Sequence, residues 1–369
     1  MSEAVTIILA GGGTGGHLYP GIAVAEELQA VPCAARCVFL CTTREIDRVI
    51  LQPSGFEFIP QAIVPPRGAD ILKFFFTYRD TRKLVNRVLR QRRPAAVVGL
   101  GGYAAGVAVK FAARRNIPTV ILNPDVIPGK ANQYLMRHSR VICCQFEQSR
   151  QFISSQHRGK VRITGCPIRR NVRKFPPHDD AANRLEIDPR LHTLVVTGAS
   201  QGAVTVNQAM LALAGTITLN GWQILHLAGR EHGEEVRRGY REKNITARVI
   251  DFTPEMADVW AVADLAVSRS GASSCAELTA CGVPSILMPY PFHKDLHQRA
   301  NAKVLADAGA AVLMDDEKDA RKNADKLRPM LESLLYDVPR RQKMSEAAKR
   351  LGRPDAAAAV ANAVRELVK

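Results

Sequence analysis

The chain has 369 residues, of which 46% are hydrophobic and 23% are charged, and this composition excludes an intrinsically disordered protein. The length exceeds what one hydrophobic core usually supports, so two domains are expected. The formal net charge of +16 predicts an anionic partner, which charge alone leaves open among nucleic acid, a membrane surface and a polyphosphate ligand.

The N-terminal segment and the cysteines favour a cytosolic protein. "MSEAVTIILAGGG" lacks the basic segment and cleavage site typical of a signal peptide. No apolar run approaches the ~18 residues that a membrane-spanning helix needs. The eight cysteines lack the paired spacing of a zinc or redox site, which favours buried, reduced thiols.

Strand-like apolar segments alternate with helical segments along the first half of the chain. "VTIILA" precedes a helix predicted from about Pro20 to Gln29. "CVFLC", "AAVVGLGG", a helix near 105–115, "PTVILN" and "RVICC" follow. This alternation predicts βαβ units and a parallel sheet.

The series starts again in the second half. "TLVVTGAS" precedes a helix near 201–214, and "WQILHLAG", "ARVID", "ADLAVSR", a helix near 273–281 and "PSILMP" follow. We therefore predict two Rossmann-like domains, 1–166 and 191–369, joined by a linker at 167–190 that is rich in proline and charge. The last helix is a candidate to pack back on the first domain. The carboxyl ends of the two sheets are expected to face a shared cleft, where ligands bind.

Each half opens with a glycine-rich turn between a strand and a helix, at 7–17 and at 194–203. Glycines let a ligand approach the backbone, and the helix N-terminus favours an anion. The first turn matches neither the dinucleotide fingerprint nor the Walker A loop, and a tight turn without a ligand remains its alternative. Ser200 in the second turn could cap the helix, bind phosphate, or do both. Two such turns predict two phosphorylated ligands and a reaction between them.

Seven segments carry a resemblance that extends over nearly the whole chain. They are, in order, "GGTGGHLYPGIAVA", "GLGGYAAG", "IPGKANQYL", "TGCPIR", "GASQGA", "SRSGASSCAEL" and "HKDLHQRANA". In this order they resemble the MurG family of inverting glycosyltransferases. These enzymes transfer N-acetylglucosamine from its UDP carrier to the 4-hydroxyl of lipid-linked N-acetylmuramyl-pentapeptide (lipid I), which forms lipid II for peptidoglycan. The resemblance implies the glycosyltransferase B fold, in which the N-terminal domain takes the acceptor and the C-terminal domain takes the UDP-sugar, with no metal or cofactor.

The resemblance also implies a donor site. Glu277 would accept both ribose hydroxyls, which a carboxylate can do, although the helix alone fits a solvated carboxylate equally well. His297 and Gln298 would contact the sugar. Arg169 would face the diphosphate, since a guanidinium pairs well with phosphate oxygens. The remaining implied donor residues are Thr14, Gly15, Gly16, Ser200, Gln201, Gly202, Phe252 and Thr253.

His17 is the candidate catalytic base on the acceptor side. An inverting transfer needs a group that takes the proton of the attacking hydroxyl. A helix N-terminus disfavours imidazolium and so keeps the ring able to accept that proton. The alternative is a histidine that only hydrogen-bonds the acceptor or the loop. The implied acceptor residues are Gly13, Thr14, His17, Tyr103 and Asn132.

The segment 65–94 holds nine basic residues, two acidic residues and an apolar cluster. Apolar side chains ringed by cations predict contact with an anionic membrane surface. The implied lipid acceptor agrees with a peripheral protein on the cytoplasmic face of the bacterial cell membrane. A basic helix with a buried apolar face is the alternative, and no nucleic-acid recognition module is present. The predicted membrane residues are Ile71, Leu72, Lys73, Phe74, Phe75, Phe76 and Arg79.

The chain departs from the family before "IPG", where Leu122-Asn123-Pro124-Asp125 replaces a His-Glu-Gln-Asn run thought to help receive the acceptor. Two alternatives to lipid II synthesis therefore stay open. One is a related glycosyltransferase with another lipid acceptor, and the other is a non-catalytic basic scaffold that binds membrane. Retention of His17, Glu277 and Gln298 argues against the scaffold.

Overall fold

The computed structural model describes residues 5–30, 35–64, 71–198, 202–292 and 295–368. The described chain forms two α/β units. The first combines the chain up to Arg169 with the chain from Pro354 onward, and the second runs from Arg170 to Arg353. Each unit contains a parallel sheet, so the predicted pair of parallel α/β domains is confirmed.

A seven-stranded parallel sheet forms the centre of the first unit, in the order β3-β2-β1-β4-β5-β6-β7. Its inner strands are buried on both faces, as their apolar sequences require. The strands are β1 (Thr6–Gly11), β2 (Arg36–Thr42), β3 (Glu57–Gln61), β4 (Ala96–Gly101), β5 (Thr119–Asn123), β6 (Val141–Cys144) and β7 (Val161–Ile163).

Helices cover both faces of this sheet. The helices up to Arg169 are α1 (Gly15–Gln29), α2 (Glu45–Leu51), α3 (Ile71–Arg92), α4 (Ala105–Ala113), α5 (Lys130–Leu135) and α6 (Ser155–Arg158), with 3₁₀ turns at Met136–His138 and Glu147–Phe152. Residues of α1 join the apolar cluster on one face, whereas residues of α3, α4 and α5 join the cluster on the other. The predicted start of α1 at about Pro20 is wrong, because the amides of His17 and Leu18 already bond to the Thr14 carbonyl.

The second unit has a six-stranded parallel sheet in the order β10-β9-β8-β11-β12-β13. Its strands are β8 (His192–Thr197), β9 (Trp222–Leu227), β10 (Ala247–Ile250), β11 (Leu265–Ser268), β12 (Ser285–Leu287) and β13 (Ala311–Leu313). Its helices are α7 (Arg170–Arg173), α8 (His178–Leu185), α9 (Val204–Leu213), α10 (Gly233–Glu242), α11 (Met256–Ala261), α12 (Ala272–Cys281), α13 (His297–Asp307), α14 (Ala320–Tyr336) and α15 (Val338–Leu351).

The boundary of the two units differs from the predicted linker at 167–190. Most of that segment belongs to the second unit, because α8 buries one face and Arg184 forms a bidentate ion pair with Asp258. The last helix, α16 (Ala356–Val368), belongs to the first unit, where it packs against α1. Arg365 donates to the Glu27 carbonyl at 2.6 Å in this contact.

The strand order places both glycine-rich turns at equivalent positions. In each sheet the order reverses beside the first strand of the unit, between β1 and β4 and between β8 and β11. Ligands of open α/β sheets bind outside the carboxyl ends of the strands at such a point. The turns after β1 and β8 lie there, so the fold of each unit provides one candidate ligand site.

Candidate active site

A buried carboxylate braces the glycine turn after β1. Asp47 on α2 has no exposed surface, and its Oδ1 accepts a hydrogen bond from the Gly13 amide at 2.7 Å. Its Oδ2 accepts from the amide and the hydroxyl of Thr42, at 2.7 and 2.8 Å. A Cβ on Gly12 would lie 2.2 Å from the same Oδ2, so only glycine fits there. The sequence analysis missed Asp47, because nothing local relates it to a turn 34 residues away.

The hydrogen bonds of His17 indicate its tautomer. His17 lies in the first turn of α1, and its Nδ1 is 3.0 Å from the Gly12 carbonyl oxygen and 3.2 Å from Thr14 Oγ1. A carbonyl oxygen only accepts, so the bond to Gly12 requires a proton on Nδ1. The neutral ring then has its lone pair on Nε2. That nitrogen is the atom that can accept a proton.

The glycines at the end of β4 accommodate the His17 ring. Gly101 and Gly102 both have positive φ angles, 107° and 71°. A Cβ on Gly101 would lie 3.1 Å from Nε2, and one on Gly102 would lie 3.0 Å from Cε1. The ring is therefore packed against bare backbone, and any larger residue would displace it. "GLGGYAAG" predicts such a turn but does not show that it holds this histidine.

The remaining predicted acceptor residues lie along the carboxyl ends of β4 and β5. Tyr103 is partly buried in the turn between β4 and α4. Asn132 is buried, and its amide nitrogen donates to the Leu122 carbonyl at 2.8 Å and to Asn123 Oδ1 at 3.1 Å. Asn123 in turn donates to the Asp125 carbonyl at 2.9 Å. Asn132 therefore holds the β5–α5 connection together from its interior.

Arg169 is the last residue of the N-terminal part of the first unit, and it contacts the first turns of α1. Its guanidinium carbon is 4.4 Å from the centre of the Tyr19 ring, a cation–π distance. Tyr19 follows His17 by two residues on α1, so the stacking places a fixed positive charge near the helix start. The predicted residues Gly15 and Gly16 form the first turn of that helix.

The turn after β8 is equally tight in the part that the structure describes. Gly202 has a φ angle of 75°, and a Cβ there would lie 2.3 Å from the Ala228 carbonyl oxygen. A Cβ on Gly198 would lie 2.1 Å from the Ala203 amide nitrogen. Ser200 and Gln201 lie outside the described residues. A side chain at either glycine would clash with neighbouring backbone, so both positions require glycine. Helix α9 begins at Val204, shortly after this turn.

Glu277 on α12 is held in place by the helix before it. Its Oε2 accepts a hydrogen bond from the Trp260 indole nitrogen at 2.8 Å. This bond fixes the orientation of the carboxylate.

The start of α13 is tied to the segment that leads into α12. The Ser270 hydroxyl donates to the Gln298 carbonyl at 2.8 Å, and Asn301 donates to the Ser270 carbonyl at 3.1 Å. The side-chain oxygen of Gln298 accepts from the Tyr290 amide at 3.0 Å. His297 Nε2 lies 2.7 Å from Asp295 Oδ2. The bonds of Gln298 and Asn301 therefore hold the start of α13 at the carboxyl edge of the sheet, beside the segments that follow β11 and β12.

A buried arginine that sequence analysis missed connects this edge to the glycine turn. Arg269, directly after β11, donates to Asp316 Oδ2 at 2.8 Å and to Thr205 Oγ1 at 2.6 Å. It also donates to the Met288 and Pro289 carbonyls, at 2.9 and 3.1 Å. Burial lowers the pKa of Arg269, and the hydrogen bond and charge of Asp316 oppose that shift. Thr205 is in the first turn of α9, so Arg269 fixes the start of that helix.

Phe252 and Thr253 follow the carboxyl end of β10, the strand that pairs with β9. The Arg230 guanidinium carbon lies 4.4 Å from the Phe252 ring centre. Thr253 Oγ1 accepts from the Glu255 amide at 3.0 Å, which closes the turn before α11. Backbone groups of this turn therefore have a defined position at the carboxyl edge.

The first turns of α3 expose large apolar side chains. Leu72, Phe75 and Phe76 are 70%, 62% and 70% exposed, whereas Phe74 packs against Tyr78 with ring centres 5.7 Å apart. Arg79 is exposed beside them, and the side chains of Ile71 and Lys73 lie outside the described residues. Further along α3, Val85, Val88 and Leu89 are buried, so the alternative of a buried apolar face holds only for that part.

Comparisons with known proteins identify the family. Profiles described as "Glycosyltransferase family 28 N-terminal domain" and "Glycosyltransferase family 28 C-terminal domain" match residues 7–142 and 193–360. Relatives from Halothermothrix orenii and Geobacter sulfurreducens are 32% and 36% identical, over 98% and 96% of this chain and 99% and 96% of theirs. Both are named UDP-N-acetylglucosamine--N-acetylmuramyl-(pentapeptide) pyrophosphoryl-undecaprenol N-acetylglucosamine transferase. The chain belongs to the MurG family.

A solved structure of the MurG family agrees with this assignment. The crystal structure of Acinetobacter baumannii MurG is similar with a TM-score of 0.75 and 25% identity, over 98% of this chain and 99% of that one. The resemblance read from seven sequence segments is thus confirmed, and so is the glycosyltransferase fold class.

Within the described residues no helix combines the length and the apolar character that crossing a bilayer requires. The same residues contain no group of three or more His, Cys, Asp or Glu side chains arranged to hold a metal ion. The seven described cysteines are reduced, and six of them are buried.

Proposed function

We propose that this protein transfers N-acetylglucosamine from UDP-N-acetylglucosamine to the 4-hydroxyl of lipid-linked N-acetylmuramyl-pentapeptide, forming lipid II. The relatives described above carry this activity in their names. The single observation that carries the chemistry is the bond from His17 Nδ1 to the Gly12 carbonyl at 3.0 Å, which leaves Nε2 as the basic atom. The first unit takes the acceptor and the second unit takes the donor.

In the reaction, Nε2 of His17 takes the proton of the acceptor 4-hydroxyl as its oxygen attacks C1 of the sugar. The bond from C1 to the diphosphate oxygen breaks on the opposite side, so the configuration inverts and UDP leaves with the electron pair. The start of α9 and the guanidinium of Arg169 offset the negative charge that develops on the diphosphate.

The remaining residues bind and orient the two ligands. Glu277 accepts from the ribose hydroxyls, and the backbone at Phe252 and Thr253 meets the uracil. His297 and Gln298 contact the sugar hydroxyls, with Ser200, Gln201 and Gly202 at the diphosphate and Thr14, Gly15 and Gly16 at the start of α1. On the acceptor side, Gly13, Thr14 and Tyr103 contact the lipid-linked substrate, and Asn132 acts by holding the β5–α5 connection.

The exposed end of α3 brings the protein to its lipid substrate. Leu72, Phe75 and Phe76 present apolar surface that insertion below the headgroups of a bilayer would bury. The many arginines and lysines of α3 add attraction to an anionic leaflet. The protein therefore works as a peripheral protein on the cytoplasmic face of the bacterial cell membrane, with no nucleic-acid partner.

A transfer assay with labelled UDP-N-acetylglucosamine and lipid I tests this function. We expect labelled lipid II from the wild type, and a loss of about 10²- to 10⁴-fold in kcat for His17→Ala. His178→Ala, which changes an exposed histidine, is the matched control and retains full activity. No labelled product from the wild type would refute the function, and full activity of His17→Ala would refute only the base assignment.

Donor binding has a separate optical readout. Trp260 donates to Glu277, so UDP-N-acetylglucosamine at the ribose-binding carboxylate should change the Trp260 fluorescence. Glu277→Gln should weaken this saturable change at least about tenfold, because two charge-assisted bonds to hydroxyls are lost. Glu235→Gln on α10 is the control. Equal affinity of both variants would refute the role of Glu277.

One observation favours a second candidate, transfer to a different lipid-linked acceptor. Asn123, Pro124 and Asp125 replace the family run at the end of β5, and Asn123 is occupied by bonds to Asn132 and to the Asp125 carbonyl. That segment therefore presents different groups to an acceptor than the family run would. Labelled product with another polyprenyl-linked sugar, and none with lipid I, would favour this candidate.

A further inference from the structure

An arginine that the proposed reaction does not use lies on the same glycine turn as His17. Arg44 directly precedes α2, and its Nη1 donates to the Gly13 carbonyl at 3.1 Å. The preceding carbonyl, that of Gly12, lies 3.0 Å from His17 Nδ1. Two successive carbonyl groups of one turn therefore hold the candidate base and a guanidinium group.

The backbone that carries Arg44 is fixed by the buried carboxylate that braces the turn. The Arg44 amide donates to Thr42 Oγ1 at 3.2 Å, and the Thr42 hydroxyl donates to Asp47 Oδ2 at 2.8 Å. The other oxygen of Asp47 accepts from the Gly13 amide at 2.7 Å. Asp47 thus supports both partners of the contact between Arg44 and Gly13. The guanidinium therefore has a defined position before a ligand binds, which lowers the entropy that binding costs.

The guanidinium of Arg44 retains donors for a ligand. It has five N–H groups, and the bond to the Gly13 carbonyl uses one of them. Within the described parts of the chain Arg44 forms no ion pair, whereas Arg48 on the same helix pairs with Glu45 at 2.8 Å. Arg44 is also exposed to solvent. Its positive charge and its remaining donors are therefore accessible to an anion.

The chemistry of the acceptor indicates which anion would bind there. In the proposed reaction Nε2 of His17 takes the proton of the muramyl 4-hydroxyl, and C1 of the same sugar carries the lipid diphosphate. C1 and C4 lie on opposite sides of a hexose ring, so the diphosphate is bound one sugar away from the base. Arg44 provides a cation at the next carbonyl of the same turn. A guanidinium pairs with phosphate oxygens through parallel N–H bonds.

We propose that Arg44 binds the diphosphate of the lipid-linked acceptor and so directs the muramyl 4-hydroxyl to His17. This assignment rests on the proposed function, from which it takes the acceptor and the role of His17. The carboxylates of the acceptor's peptide are the alternative anion. Arg44 contacts no reacting atom in this arrangement. Its loss should therefore weaken the binding of the acceptor and leave the rate of the bound substrate nearly unchanged.

Calorimetric titration of the full chain with a water-soluble, short-chain lipid I analogue measures this binding without any sugar nucleotide. Arg44→Gln should raise the Kd at least about tenfold, because charge-assisted bonds are lost. Arg44→Lys should lie between Arg44→Gln and the wild type, since an ammonium group keeps the charge but not the parallel bonds. The matched control is Arg48→Gln, which removes the same charge from the same helix and should stay within about twofold of the wild type.

A second ligand isolates the diphosphate. It is the same muramyl-pentapeptide as an alkyl glycoside, which has the sugar and the peptide but no phosphate. Wild type and Arg44→Gln should bind this glycoside within about twofold of each other. In the transfer assay Arg44→Gln should raise the KM for lipid I at least about tenfold, with kcat within about threefold and the KM for UDP-N-acetylglucosamine within about twofold. A distorted turn would instead lower kcat, since the turn also holds His17.

The outcomes separate this role from the proposed function. Unchanged affinity of Arg44→Gln for the lipid I analogue overturns the proposal. Equal weakening for the analogue and the glycoside also overturns it, because Arg44 would then act on the peptide or on the shape of the turn. Binding that depends on Arg44 and on the diphosphate, without any transfer by the wild type, supports the proposal and refutes the function. No binding of the analogue to the wild type overturns both.

Discussion

The buried histidine of the second unit should make its stability depend on pH. His226 on β9 has no exposed surface. Its Nε2 lies 3.0 Å from Asn207 Oδ1, and its Nδ1 lies 2.9 Å from the Tyr240 hydroxyl. The Asn207 amide donates to the Ala228 carbonyl at 2.9 Å, so Oδ1 accepts from Nε2–H and Nδ1 accepts from the hydroxyl. All three groups are satisfied only while the ring is neutral.

The size of this pH effect follows from the shift in the pKa of His226. Burial lowers the pKa of His226 to about 3, whereas a histidine in an unfolded chain titrates near 6.5. Between these values the unfolded chain binds a proton that the folded chain excludes, so acid favours unfolding. From pH 7.5 to pH 4.5 this linkage removes about 2.7 kcal/mol from the free energy of unfolding. The contribution is fully present above pH 6.5 and decreases progressively below it.

His226→Gln separates this effect from other titrations. At pH 7.5 we expect a loss of about 2–4 kcal/mol, because buried partners lose hydrogen bonds. At pH 4.5 the difference from the wild type should be smaller by about 2.7 kcal/mol, since the variant has no imidazole to protonate. Both tryptophans, Trp222 and Trp260, belong to this unit, so urea unfolding followed by their fluorescence measures its stability.

The control and the refuting result are defined by the same measurement. His178→Gln changes an exposed ring on α8, and its difference from the wild type should vary by less than about 0.5 kcal/mol over this pH range. A His226→Gln difference that is the same at both pH values would refute the reasoning, because it would mean that burial does not suppress protonation of the ring.

Three further predictions concern the glycine turn, the buried ion pair and the membrane face. Asp47→Asn should speed hydrogen exchange of the backbone amides of residues 11–18 about 100-fold, because the asparagine side chain cannot accept all three hydrogen bonds that the carboxylate accepts. Exchange is measured by mass spectrometry, and an unchanged rate would contradict this role of Asp47. Arg269→Met should lower the free energy of unfolding, measured in urea, by about 3–5 kcal/mol, since Asp316 stays buried without its cation. A loss below about 1 kcal/mol would count against a stabilising role of the Arg269–Asp316 ion pair. Phe75→Ser/Phe76→Ser should reduce flotation with phosphatidylglycerol vesicles at least about tenfold without changing the melting temperature, and undiminished flotation would exclude insertion of α3.

Features that depend on neighbouring residues could be predicted from the sequence. The alternation of apolar strands and helices indicated two parallel α/β domains, and the two glycine-rich turns were found where the strand order reverses. The aromatic residues at 74–76 also indicated an exposed apolar surface, because one helix face could not bury them all. Seven ordered segments were enough to indicate the family. In each case the signal lies in the local order of residue types, which determines backbone preference and burial.

Features that depend on distant contacts required the tertiary structure. Asp47 reaches Gly13 across 34 residues, Arg269 reaches Asp316 across 47, and Arg365 of the last helix reaches Glu27 across 338. Each of these residues is an ordinary charged side chain in its own segment. Its role comes from burial beside a partner, and folding decides that partner by packing the strands and helices between them. The tautomer of His17 has the same origin, because only the folded turn brings the Gly12 carbonyl to Nδ1.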